Sequence, residues 1–277
     1  MNTVPIYLGW QLDPVLLGGI LTLGACYGLA VGPLRARLEP GAAFPRRQAL
    51  WFYGGLAVMY LMEGSPLHDL AERYLLSVHM LQHLSLSYLV APMLLWGTPP
   101  WVLKPLLLNR AVAPIARVLT KPLVTFFVFS FFFSAWHLPA IYEAALRNDS
   151  LHHAEHLVFL ATSLLLWWPL MSPLKELPRA SYLTQLIYLF TLPIAQLPLF
   201  GIMTFSKHVL YPTYAAAPRV LDITPLVDQA LGGVLMKVVG LFVFGIPFIV
   251  IFFRWYASEN SRRQPRGSAQ LRSERSF

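Results

Sequence analysis

Long stretches without a charged side chain recur along this 277-residue chain, and arginine-rich loops separate them. Charge is absent from 14–34, 74–103, 122–142, 157–174 and 180–206. Residues 48–62 form a shorter stretch ended by Glu63, and 229–253 is interrupted only by Lys237. A helix needs about 20 apolar residues to cross a bilayer, and inside hydrocarbon it satisfies its own backbone polar groups. The pattern therefore predicts an all-α bundle of seven transmembrane helices, at about 14–34, 48–64, 74–97, 122–138, 153–172, 183–204 and 230–253. They make one membrane domain over 1–257, followed by a basic tail, 258–277, whose composition predicts disorder. Pro92, Pro193, Pro198 and Pro247 lie within spans and predict kinks. Only 12% of the residues are charged, against about 25% in an ordinary soluble domain, which excludes a water-soluble enzyme. The one cysteine, Cys26, excludes an intrachain disulfide and a cysteine-based zinc site. It reads as an inert small residue near mid-span.

The loops predict an orientation. Segments 35–47, 104–121 and 175–182 and the tail from Arg254 alternate with the others and hold 16 of the 21 basic residues, with only 4 of the 13 acids. The opposite side holds five basic residues and nine acids. Cytoplasmic loops are the basic ones, so the N-terminus is expected outside and the C-terminus in the cytoplasm, as seven spans require. The formal charge of +8 is read through this distribution and points to the lipid bilayer rather than to nucleic acid. Gly24, Gly28 and Gly32 form small-xxx-small steps expected to pack the first span. Lys237 is expected to snorkel to the outer surface.

All eight histidines fall on the outer side of this arrangement. Ionisable residues in spans are costly and point to function. His79 and His83 are four apart and share a helix face, as do His152 and His156 with Glu155 beside them. Imidazole suits copper, zinc and iron, and thioether sulfur favours Cu(I). The spacing thus predicts an outer metal centre of His79, His83, His152 and His156, with His137 as the next ligand. Copper is the expected ion, Cu(I) by preference. Met80, Glu155, Asp228, Met236 and Met62 are accessory candidates. His68, His153 and His208 read as hydrogen-bonding or headgroup residues. Two alternatives stay open. Paired histidines also hold b-type haem in membrane electron carriers, and His152-His153-Ala154-Glu155-His156 matches the H-x-x-E-H pattern of a zinc metalloprotease.

The run His79-Met80-Leu81-Gln82-His83, leading to Ala91-Pro92 and Gly97-Thr98-Pro99, resembles the H-M-x-x-H…A-P…G-x-P segment of bacterial CtaG-type cytochrome c oxidase assembly factors. Trp136-His137-Leu138-Pro139 with Tyr142, then His152-x-x-Glu155-His156-x-x-Phe159 and Trp167, are similar to their fourth and fifth spans. Asp228-Gln229 with Gly232-Gly233 and Met236 resembles their last-span signature. The resemblance covers about residues 50–253. It implies a multi-pass protein of the bacterial plasma (inner) membrane that helps to mature a haem–copper oxidase, without covalent chemistry of its own. Copper would come from a periplasmic or extracellular donor and go to an oxidase subunit.

Overall fold

The computed structural model describes residues 8–263, and among them there are helices and connecting segments but no strand. Five helices are long and apolar enough to cross a membrane: Pro14–Val31 (α1), Leu76–Gly97 (α4), Asp149–Met171 (α7), Tyr182–Phe205 and Pro225–Ser261. A sixth arises if Ala113–Leu119 and Pro122–Trp136 (α5), bent by 77° across a short break, count as one. The stretch expected as the second span is an 18-residue helix, Arg46–Glu63 (α2). It carries Arg46, Arg47 and Glu63 and is not among the five. Length and composition thus grant five or six spans where seven were expected.

Short helices complete the outer side: Pro66–Arg73 (α3), Pro139–Leu146 (α6) and Pro212–Ala216 (α10). The expected sixth span is interrupted at Gln196, which divides Tyr182–Ala195 (α8) from Leu197–Phe205 (α9). Pro193 lies just ahead of this break. The last helix, Pro225–Arg263 (α11), runs past residue 258, where the tail was expected to begin; the remainder of the tail lies outside the described residues.

Helix α4 is the axis of the fold. Of its membrane-length window 72% is buried, against 11% for α1. It packs on α2, α7 and α11, while α11 also packs on α8 and α9, and α7 on α5. Its start is fixed from a distance. Leu75 at its N-cap offers no side-chain acceptor. Fully buried Asp228 of α11 accepts instead from the backbone N–H of Leu76 at 2.7 Å and of Ser77 at 3.2 Å, and from the Ser77 hydroxyl. A carboxylate so placed satisfies the free amides of a helix N-terminus and complements its dipole.

One turn of α4, Leu86–Val90, is a π-turn. The Ala91 N–H bonds Leu86 O, five residues back, so Ser87 O loses its usual helical partner. The Trp167 indole of α7 donates to that carbonyl at 2.9 Å. Pro92, which has no N–H, follows immediately, so the predicted kink becomes a widened turn locked by α7. At the far end Gly97 lies so close to α2 that a Cβ would sit 2.5 Å from Phe52 N, and Tyr27 donates to Gly97 O at 2.8 Å. Gly24 and Gly28 face Tyr53 of α2, the packing role expected of the small-residue steps. Lys237 does not run out to the surface as expected. Half-buried, it donates to Pro193 O at 3.4 Å, beside the α8–α9 break.

Candidate metal centre

The outer ends of α2, α4 and α7 meet under α3, and their polar side chains converge there. Helical periodicity places His79 and His83 on one face of α4, with ring centroids 4.2 Å apart. It does the same for His152 and His156 on α7, at 4.3 Å. The two faces come together as expected, His83 lying 5.3 Å from His156 and 6.3 Å from His137, centroid to centroid. Phe159 stacks beside His83 at 4.3 Å and Phe133 beside His137 at 4.8 Å, forming the apolar floor.

Carboxylates fill the spaces between the rings. Glu72 Oε1 lies 2.7 Å from His79 Nδ1. Glu63 Oε2 lies 2.8 Å from His156 Nδ1. Glu155, buried on α7, lies 3.8 Å from His83 Nε2 and 3.9 Å from His152 Nδ1. His137 Nδ1 meets Phe133 O at 2.6 Å, a carbonyl freed by the end of α5.

A pattern follows from these pairings. His79 and His137 each have an oxygen acceptor at Nδ1, and His156 has Glu63 Oε2 beside its Nδ1, so Nε2 is the open nitrogen of each ring. Each of these three Nε2 atoms is buried and without a hydrogen-bond partner. Both nitrogens of His83 and of His152 are likewise buried and unpartnered. A buried polar atom left unsatisfied costs about 1–3 kcal/mol. Imidazoles oriented through one nitrogen with the other left bare have the arrangement of metal-ligating histidines. Two groups of potential ligand atoms lie within 4.8 Å of one another: His79, His83 and Glu155, all buried, and His68, Glu72 and His152, half-buried. An ion about 2.0–2.1 Å from three ligands spaces them about 3.4–3.6 Å apart, so each group would draw in by about an ångström to hold one.

Tyrosines cover the centre from outside. The Tyr142 ring of α6 lies 4.9 Å from His79. Its hydroxyl pairs with that of Tyr214 at 2.8 Å, which reaches Ala71 O, and Tyr211 donates to His137 O. Glu143 ties α6 to α10 by accepting from the Thr213 N–H and hydroxyl. Outside the spans, burial pushes the His68 imidazole below its ordinary range, outweighing the pull of Glu72 and Glu63, so its ring is neutral at pH 7. Burial would raise the Glu72 carboxyl, but His79 and His152 beside it hold it below the usual carboxylate range.

The structure thus brings together His79, His83, His152, His156 and His137, with Glu155 among them. It adds Glu72, Glu63 and His68, which the sequence reading did not place there. Their signal was available: His68 and Glu72 share the i,i+4 spacing used for the other pairs. Asp228 is committed to the N-terminus of α4 rather than to the rings. Met80 is fully buried against Gly232 of α11. Met236 is a core residue, and Met62 meets the cluster only through its carbonyl, which accepts from Gln82. His153 lies 3.2 Å from Asp13 with its ring 6.4 Å from that of His152, and exposed His208 sits in a turn with Ser206.

A bis-histidyl haem needs two imidazoles on opposite faces of a macrocycle, whereas these rings pack against one another with carboxylates between them. The H-x-x-E-H residues share their contacts with other carboxylates and rings: His152 lies 3.6 Å from Glu72 and 3.9 Å from Glu155, His156 2.8 Å from Glu63, and Glu155 3.8 Å from His83. No curated protein and no solved structure matches the chain. Residues 25–258 match the family described as cytochrome c oxidase caa3 assembly factor (Caa3_CtaG). That match spans most of the described residues and includes every residue of the cluster, and the chain belongs to the cytochrome c oxidase caa3 assembly factor family.

Proposed function

We propose that the protein serves oxidase assembly by binding copper at the buried seat of His79, His83 and Glu155, supported by His152, His156 and His137, and passing it to an oxidase subunit. The observation that carries this reading is the set of oriented, unpartnered imidazole nitrogens in an apolar surround. Copper is cargo here, and no covalent chemistry is assigned to the chain. The donors are imidazole nitrogen and carboxylate oxygen, which suit Cu(II) at least as well as Cu(I). The preference for Cu(I) drawn from methionine sulfur loses its support, because Met80 and Met236 pack into the core instead.

The reading includes α2 as a seventh crossing, with the N-terminus outside and the C-terminus in the cytoplasm of a bacterial plasma membrane. The division of basic residues supports it, as does the gathering of the histidines at one end of the bundle. A copper donor would then approach from outside, and the recipient subunit would lie in the same membrane.

The test is a deletion strain complemented with wild-type protein or with the double variant His79→Ala/His83→Ala, grown under copper limitation. The oxidase polypeptides should accumulate without their copper unless wild type is supplied. A fully metallated oxidase in the deletion strain, or full rescue by the double variant, would overturn the reading.

A further inference from the structure

The second group of ligand atoms shares only His152 with the site just proposed, and its placement gives it a role of its own. His68 and Glu72 stand on α3, outside the candidate spans, and His152 opens α7. Their ligand atoms lie within 4.8 Å of one another. Exposure falls steadily from this group to the buried one. The side chains of His68, Glu72 and His152 are 21%, 15% and 13% exposed, and those of Glu155, His83 and His79 are 2%, 2% and 0%. The two groups share a boundary. Glu72 Oε2 lies 3.6 Å from His152 Nδ1 while its Oε1 lies 2.7 Å from His79 Nδ1. His152 in turn lies 3.9 Å from Glu155. One carboxylate therefore touches a ligand of each group, and both nitrogens of His152 are buried and lack a hydrogen-bond partner.

We infer that His68, Glu72 and His152 form a second, outer metal seat that loads the buried one, with Glu72, which also holds His79, as the link between them. This rests on the reading of the buried cluster as a metal centre. The donor set, two imidazoles and a carboxylate, is the same in both seats, so an ion can move inward by exchanging ligands one at a time. Its oxidation state does not change and it is never released to water. A divalent ion of borderline hardness, Cu(II) or Zn(II), fits both seats. Loading displaces the His79–Glu72 contact, and the Glu72 carboxylate turns from a proton-bearing imidazole to the arriving ion.

The experiment uses the full-length protein without a histidine tag, in lipid nanodiscs, stripped by chelator and dialysed against copper(II) alone. Bound copper is measured by mass spectrometry and electron paramagnetic resonance. Wild type should hold two equivalents, with a resonance broadened by the neighbouring ion. His68→Phe and His83→Leu should each hold one, with the broadening gone. Glu72→Gln should bind to the buried seat at least tenfold more slowly in stopped-flow mixing, as loss of a ligand-orienting group costs about 10- to 100-fold. Two equivalents in His68→Phe, or one equivalent in wild type that survives in both His68→Phe and Glu72→Gln with unchanged loading rate, would overturn the second seat and leave the buried centre standing. No copper in wild type would overturn both.

Discussion

Replacing His83 by Leu should stabilise the chelated protein and destabilise the copper-loaded protein relative to wild type. His83 is 2% exposed and packed between His79, His156 and Phe159. Neither of its ring nitrogens has a hydrogen-bond partner. Each unsatisfied buried atom costs about 1–3 kcal/mol, and leucine fills a similar volume without that cost. The chelated variant should therefore gain about 1–3 kcal/mol over chelated wild type. Copper reverses the order. An ion at 100 times its Kd stabilises the folded state by about 2.7 kcal/mol, and the variant forgoes what the buried seat contributes. The assay is unfolding in nanodiscs followed by circular dichroism, with chelator or with copper(II). Two results would refute the argument. A chelated His83→Leu less stable than wild type would mean that the imidazole has structural partners. Equal stabilisation of both proteins by copper would place the metal elsewhere.

Other outcomes follow from the surrounding structure. Asp228→Ala should cost roughly 1.5–3 kcal/mol, since hydrogen bonds to a charged group are lost and the Leu76 and Ser77 amides are left bare; copper affinity should fall as well, because α4 carries His79 and His83, and Asp228→Asn should recover part of both. In a Cys26→Ser background, Asp222→Cys should be labelled by an impermeant thiol reagent in intact cells and Ala43→Cys should not; the reverse result would overturn the orientation. Asp13 caps α1 through the Leu16 amide. Burial alone would raise its carboxyl, but that amide and His153 hold it below the ordinary range, so its stabilisation is present at neutral pH and lost as pH falls through the lowered value. Asp13→Asn should flatten that acid limb of the stability curve, measured by unfolding between acidic and neutral pH.

The two histidine pairs were legible because helical periodicity alone puts residues four apart on one face. Uncharged length marked α4 and α7 as long helices, and their packing side by side, which the structure supplies, brings the pairs together at matched depth. The carboxylates were harder to see. Glu63 ends α2 and Glu72 lies in α3, segments where acidic residues are ordinarily solvated, so their composition says little about burial. Glu72 reaches His79 only because the chain turns at Tyr74 and Leu75, between two helices. His68 was read as a headgroup residue for the same reason: α3 is a short amphipathic turn, and only its docking over α2 and α7 brings His68 inward. Asp228 was noticed in the last-span motif and as an accessory candidate, but its partners lie about 150 residues earlier in the chain. Nothing local in the sequence reveals that pairing. The break at Gln196 and the π-turn before Pro92 are tertiary outcomes too, each settled by a neighbouring helix that takes up a freed carbonyl.

On the proposed reading, the carboxylates also determine how such a centre would let go of its cargo. Among the described residues, the ion-pair partners of Glu63, Glu72 and Glu155 are all histidines. No lysine or arginine supplies the positive charge that buried carboxylates require. That charge therefore comes from protons on the imidazoles or from metal ions, and the two compete, because a ligating imidazole must be neutral. Metal arriving in the cluster expels protons, and protons returning expel metal. A thiolate site would bind a soft ion with much greater tenacity, but the one cysteine, Cys26, is exposed on α1. Imidazole and carboxylate would give a hold that protonation reverses, which suits the proposed transfer of an ion to a recipient. The crowding of the rings has the same effect. With several bare nitrogens within a few ångströms of each other, a bound ion would leave one ligand as it gained the next, and the proposed transfer would proceed by small steps rather than through a free ion.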